Sequence, residues 1–193
     1  MSSLRQRFEE NYVAVDVSEG EKVKIKYIYY GPWYMWDIPK ERVKHGKYML
    51  CFLCILNIVL FAAGSLRETR LNAAVAIEVP CILSLITLMF EIIGIIQFCA
   101  TGDRFTRMLF HDINMKLRIA PVVHAALLAM AILVGAYELL FVSFSGSDLV
   151  VVLLYLCCAF LSASIGIVYR RIPFTSERNR VLEEMAAKEA APE

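Results

Sequence analysis

The chain has 193 residues, 59% of them hydrophobic and 20% charged, with a formal net charge of +1 and a mean hydropathy of +0.57. Soluble domains carry about 45–50% apolar and about 25% charged residues, so this composition describes a membrane protein and excludes a disordered chain or a secreted disulfide scaffold. A nearly neutral chain also lacks the strongly basic surface of a nucleic-acid binder, and no nucleic-acid partner is expected.

The first 44 residues hold no apolar run long enough for a signal-peptide core or a span, so the first hydrophobic segment is expected to insert as an uncleaved anchor. Within this N-terminal segment (1–47), Lys22-Val23-Lys24-Ile25-Lys26-Tyr27-Ile28-Tyr29 alternates polar and apolar with the period of a strand. Val13, Val15 and Val17 alternate in the same way before Ser18-Glu19-Gly20-Glu21, which suits a short β-hairpin. Two strands alone are marginal in water and need a further surface. Residues 29–38 follow as an aromatic run that contains Trp33 and Trp36, the only two Trp of the chain. Rings with polar handles favour the headgroup zone, so this run reads as an interfacial belt, with a docking surface as the alternative.

Four segments are long and apolar enough to cross a hydrocarbon core: about 48–65, 73–100, 119–144 and 149–169. Short connections between them imply antiparallel neighbours, so the expected fold is an all-α integral membrane protein, a four-helix transmembrane bundle. Glu78 and Pro80 are expected to break the second segment and leave its first turns in the interface. The stretch from Thr101 to Arg118 reads as a basic loop. Lys and Arg number nine up to Lys47, four from Thr101 to Arg118 and five from Arg170 onward, against Arg67 and Arg70 in the other connections. Eighteen of the twenty thus share one side when both termini are cytoplasmic. The compact design fits a prokaryotic plasma membrane. In the tail (170–193), Thr175 or Ser176 is placed to cap a short helix whose apolar face is Val181, Leu182 and Met185.

Lipid offers no hydrogen bonds, so polar and small residues within the spans turn toward neighbouring helices. At 100° per residue the inward stripes are Cys54, Asn57, Phe61 and Gly64; Ser84, Thr87, Glu91 and Gly94; His124, Ala131, Gly135 and Glu138; and Tyr155, Ala159, Ser162, Gly166 and Tyr169. Asn57, Ser84, Thr87, Glu91, His124 and Ser162 form the candidate intramembrane polar site. Glu91 lies nine residues before Ala100, roughly 13 Å along a helix, and His124 six residues beyond Arg118, roughly 9 Å. Both fall in the same half of the bilayer, where a Glu91–His124 pair is geometrically permitted. It would either fix helix register or handle a proton or ion. Glu78, Glu138, Arg67 and Arg70 make a candidate rim of ion pairs at the other membrane surface.

Cys51 and Cys54 form a C-x-x-C, a spacing compatible with thiol exchange or metal binding. They lie at the cytoplasmic end, where surroundings are reducing, and Cys81, Cys99, Cys157 and Cys158 offer no second pair at a matching depth. Inert buried thiols are the expectation. No phosphate-binding glycine loop, dinucleotide fingerprint, nucleophile elbow or zinc-protease helix occurs. His45, His111 and His124 are dispersed, so no metal site and no cofactor are expected.

The leading functional expectation is an accessory or interaction subunit without catalytic chemistry of its own, whose segment Asn11–Pro39 engages a membrane-protein partner or a second copy. Membrane lipids are its solvent and further partner. The alternative is a small proton- or ion-coupled transporter or channel acting as an oligomer through Glu91 and His124. A membrane thiol redox enzyme using Cys51 and Cys54 ranks third.

Overall fold

The computed structural model describes residues 11–19 and 22–178. Four long helices dominate: α1 (Lys40–Ser65), α2 (Val75–Ala100), α3 (Arg107–Tyr137) and α4 (Gly146–Arg170). Each is long and apolar enough to cross a membrane; the 26 residues of α1 reach roughly 39 Å at the helical rise. The protein is a four-helix membrane bundle, and the chain also holds small strand segments.

The helices differ from their predicted bounds for local reasons. α1 starts eight residues early because Lys40–Lys47 are mostly good helix formers behind Pro39, with Glu41 in the positively polarised first turn. α3 begins at Arg107, so most of the predicted basic loop is helix. Ile113, Leu117, Ala120 and His124 recur at helical spacing and are all buried, so this extension has an inward face of its own. At its far end a π-helical turn, Glu138–Val142, closes with the Ser143 N–H donating to the Glu138 carbonyl at 3.1 Å. α2 runs unbroken through Glu78 and Pro80, against the sequence expectation. Pro80 is the sixth residue of the helix and removes only the bond to Ala76, while Ile77 and Glu78 both donate to the Ala74 carbonyl at 2.9 Å.

The predicted stripes face inward except at Glu138, which is partly exposed in the π-helical turn. α1 buries Cys54, Asn57, Phe61 and Gly64 together with Leu50. α1 and α4 approach most closely of the helix pairs, since small residues leave room: a Cβ on Gly64 would lie 3.0 Å from the Tyr155 ring. Between the helices lies a core of Phe61, Ile77, Leu88, Leu128, Tyr155 and Cys158, among others. Outward-facing Phe52, Leu133 and Phe160 are 66–71% exposed, which suits lipid rather than water.

Among the described residues, the second compact unit draws on 11–19, 22–36, 102–111 and 174–178. Strands β1 (Tyr12–Glu19) and β2 (Lys22–Tyr29) form an antiparallel ladder from Tyr12↔Tyr29 to Glu19↔Lys22, as the alternation predicted. β3 (Trp33–Trp36) is the centre of a three-stranded sheet, flanked by β4 (Phe105–Thr106) and β5 (Phe174–Glu177), both antiparallel to it. The centre of the aromatic run, Trp33–Trp36, is therefore a strand. Its rings stack within the unit, Tyr34 on Phe110 at 4.4 Å and Trp36 on Phe105 at 4.8 Å. Thr175 and Ser176 do not cap a helix; they are strand residues opposite Met35 and Tyr34, where backbone pairing replaces a cap. The rest of the predicted tail helix, with Val181, Leu182 and Met185, lies outside the described residues.

Tyr29 ties this unit together. Its hydroxyl donates to the Pro32 carbonyl at 2.7 Å and accepts from the Arg107 N–H at 2.9 Å. Its ring meets Trp33 edge-on at 4.8 Å. Gly31 permits this closure, because a Cβ there would lie 2.5 Å from Asn11 Oδ1 and 2.6 Å from the Tyr29 hydroxyl.

Candidate functional site

The bundle interior has two polar levels. At the first, Asn57 of α1, Glu91 of α2 and Ser162 of α4 are all fully buried. The Ser162 hydroxyl donates to Glu91 Oε2. Asn57 lies close beside the same carboxyl, yet its amide N and O have no hydrogen-bond partner, and neither does Glu91 Oε1. Helical spacing explains the meeting: Asn57, Glu91 and Ser162 each sit on the inward stripe at one depth. The Cys158 thiol reaches the Asn57 carbonyl at 3.7 Å and continues this level along α4.

The second level holds Ser84, Thr87 and His124. Its hydroxyls bond back along α2, Ser84 Oγ to the Cys81 carbonyl and Thr87 Oγ1 to the Ser84 carbonyl, both at 2.8 Å. That is the common fate of Ser and Thr within a helix. His124 Nδ1 donates to the Ser84 carbonyl at 2.9 Å, and its ring lies 5.8 Å from that of Phe61. Nε2 of His124 has no partner.

Glu91 and His124 are thus not a pair. His124 is held at the level of Ser84 and Thr87, a helical turn or more from Glu91, and Glu91 is claimed by Ser162. The six polar candidates are brought into one core but split between two levels.

Of the rim set, Arg70 and Glu138 meet at 3.8 Å, both substantially exposed. Arg67 contributes its backbone carbonyl to the Asn72 amide at 2.9 Å. Glu78 joins no rim pair; it lines a cleft of about 230 Å³ beside Phe61, Ser65, Asn72 and Tyr155. A second cleft of about 240 Å³, almost wholly apolar, runs between α2 and α3 beside Phe90, Lys116 and Ile119. Both fall below the roughly 300–1,000 Å³ of a pocket that encloses a drug-sized molecule.

Three arrangements went unforeseen. Asn72 donates to the Gly64 and Arg67 carbonyls at 2.8 and 2.9 Å and accepts from the Tyr155 hydroxyl at 3.0 Å, which caps the C-terminal end of α1 from outside the helix. Lys116 contacts Asp112 at 2.6 Å and Gln97 at 3.0 Å, joining α3 to α2. Finally, the Cys51 sulfur lies 3.2 Å from that of Cys99, while Cys54 is buried toward the core. The sequence reading looked for a second cysteine pair and did not foresee this single contact between α1 and α2. Both cysteines lie near the basic end of their helices, and counting residues from those ends carried the signal.

Among the described residues no group of His, Cys, Asp and Glu is arranged to hold a metal ion. No protein-family model matches the chain, and no curated protein or solved structure is similar to it.

Proposed function

We propose that this is a membrane-anchored interaction subunit, with both termini cytoplasmic in a prokaryotic plasma membrane, that binds a membrane-protein partner or a second copy through residues 11–36. One observation carries the reading: among the described residues, β1 and β2 pair only with each other. Two eight-residue strands are marginal in water without a further surface, and an open strand edge is a ready template for another chain. Exposed Val13 adds apolar area to such a contact. Orientation rests on the sequence distribution of Lys and Arg, eighteen of twenty falling in the N-terminal segment, the stretch 101–118 and the tail. The bundle supports a binding role over transport, since Phe61, Glu91, Leu128, Tyr155 and Ser162 fill its interior at 6% exposure or less.

The test is crosslinking of native membranes with a general amine-reactive reagent, followed by identification of the stoichiometric product. The full chain should yield one defined partner or its own dimer, and deletion of residues 1–38 should abolish it. An unchanged product after deletion removes the segment from the interaction.

A second reading, proton or cation handling, is favoured by the unpartnered Glu91 Oε1 beside the unpartnered Asn57 amide. Buried ionisable groups in a membrane mark such sites often. In proteoliposomes Glu91→Gln should then abolish pH-driven flux, and flux equal to that of the unaltered chain would end this reading.

A further inference from the structure

Four observations converge where α1 meets α2 at the basic end. The Cys51 and Cys99 sulfurs are 3.2 Å apart, about 1.1 Å more than a formed disulfide bond. One turn before Cys51, Lys47 donates to the Cys99 carbonyl at 3.1 Å and to the Thr101 carbonyl at 2.6 Å. The same ammonium sits 5.8 Å from the centre of the Phe98 ring. Lys47 thus fastens the last turn of α2 to α1 and holds the two sulfurs facing each other across the gap. Neither cysteine is sealed in the core: both are partly accessible, whereas Cys54 is buried.

The geometry points to Cys51 and Cys99 as a disulfide-forming pair, a modification site that covalently locks α1 to α2 at this end. The co-reactant is a low-molecular-weight disulfide. One cysteine loses its proton and attacks a sulfur of that disulfide, breaking the S–S bond and expelling one small thiolate. The second cysteine then attacks the protein sulfur of the mixed disulfide and expels the other small thiolate. Two protein thiols are oxidised by two electrons, one small disulfide is reduced to two thiols, and the two protons pass to the leaving groups. The C-x-x-C partner Cys54 takes no part. If this end faces the cytoplasm, as proposed above, the pair rests as thiols and closes under oxidative load. The chemistry itself does not depend on that orientation.

The experiment uses the full chain in detergent micelles, treated with oxidised glutathione or with the membrane-permeant dipyridyl disulfide. Acid quenching, alkylation with N-ethylmaleimide and peptide mass spectrometry follow. Alkylation should be lost at Cys51 and Cys99 together, with a crosslinked peptide lighter by two hydrogens that dithiothreitol reverses. Cys54→Ser should keep the link, and Cys99→Ser should leave Cys51 alkylated or as a mixed disulfide with the small thiol. A Cys51–Cys54 link, or full alkylation of both Cys51 and Cys99 after either oxidant, overturns the proposal.

Discussion

The helical bundle and the strand unit obey opposite rules of assembly. In the bundle, each backbone bond is made within its own helix, so the chain must only decide which face turns inward. That decision is local: on α1, residues 54, 57, 61 and 64 recur at helical spacing, and all four are buried. In the strand unit, Trp33 pairs with Thr106 on one side and Glu177 on the other. Nothing near Trp33 in the sequence announces either partner. The difference teaches that helix faces in lipid are written locally, whereas a small sheet assembled from distant segments is not.

The bundle is broken most directly where a neighbouring helix packs tightly against a glycine. A Cβ on Gly94 would lie 2.9 Å from both Leu117 Cδ2 and Lys116 Cβ. Gly94→Leu should therefore force α2 away from α3 and cost about 1–3 kcal/mol or more, seen as a lowered thermal midpoint in detergent. Gly146→Leu, where nothing lies within 4 Å of the added carbon, is the matched control and should retain most of the stability. Equal thermal midpoints in the two variants would show that Leu117 and Lys116 give way to the added side chain and that the α2–α3 contact does not set stability.

Asn72→Ala is aimed at the connection rather than the helices. It removes two donated bonds and one accepted bond, and at about 0.5–1.5 kcal/mol each the loss should approach about 3 kcal/mol. Tyr155→Phe removes its bond to Asn72, a long contact to Ser65 and a contact to the Cys81 thiol, and should cost less than Asn72→Ala. Equal unfolding midpoints for Asn72→Ala and the unaltered chain would show that water caps α1 as well as this side chain does.

What the sequence made legible follows the same division. The polar core of Asn57, Glu91 and Ser162 could be placed from periodicity alone, because desolvation leaves a buried polar side chain no other direction to face. Which partner each chose was not legible. Ser162 reaches Glu91 first, and the Ser84 carbonyl takes His124 Nδ1, choices made by fractions of a helical turn that a 100° wheel does not resolve. The Cys51–Cys99 contact was half legible: depth placed both at one end, but side-chain direction between two helices was needed to join them. The role of Trp33–Trp36 as a central strand was hidden, because aromatic amphipathic residues suit a headgroup zone and a ring-stacked sheet equally well.

The mildest perturbation tests the strand unit alone. Tyr29→Phe keeps the ring against Trp33 but deletes the bonds to Pro32 and Arg107, at about 1–3 kcal/mol for the two. Both Trp residues of the chain are in β3, so their emission reports on this unit while leaving the bundle silent. Burial raises the Tyr29 phenol above its ordinary 10.0, so in the folded unit it stays protonated at a pH where the unfolded phenol has begun to ionise. Its contribution is complete below about pH 10, and declines as pH rises from the unfolded value through the raised one. Alkaline loss of the native Trp emission should accordingly begin above about pH 10 in the unaltered chain. In Tyr29→Phe it should start from a lower stability and be flatter with pH. Identical alkaline profiles in the two proteins would mean that the rings hold the unit and that the Tyr29 hydroxyl contributes nothing to it.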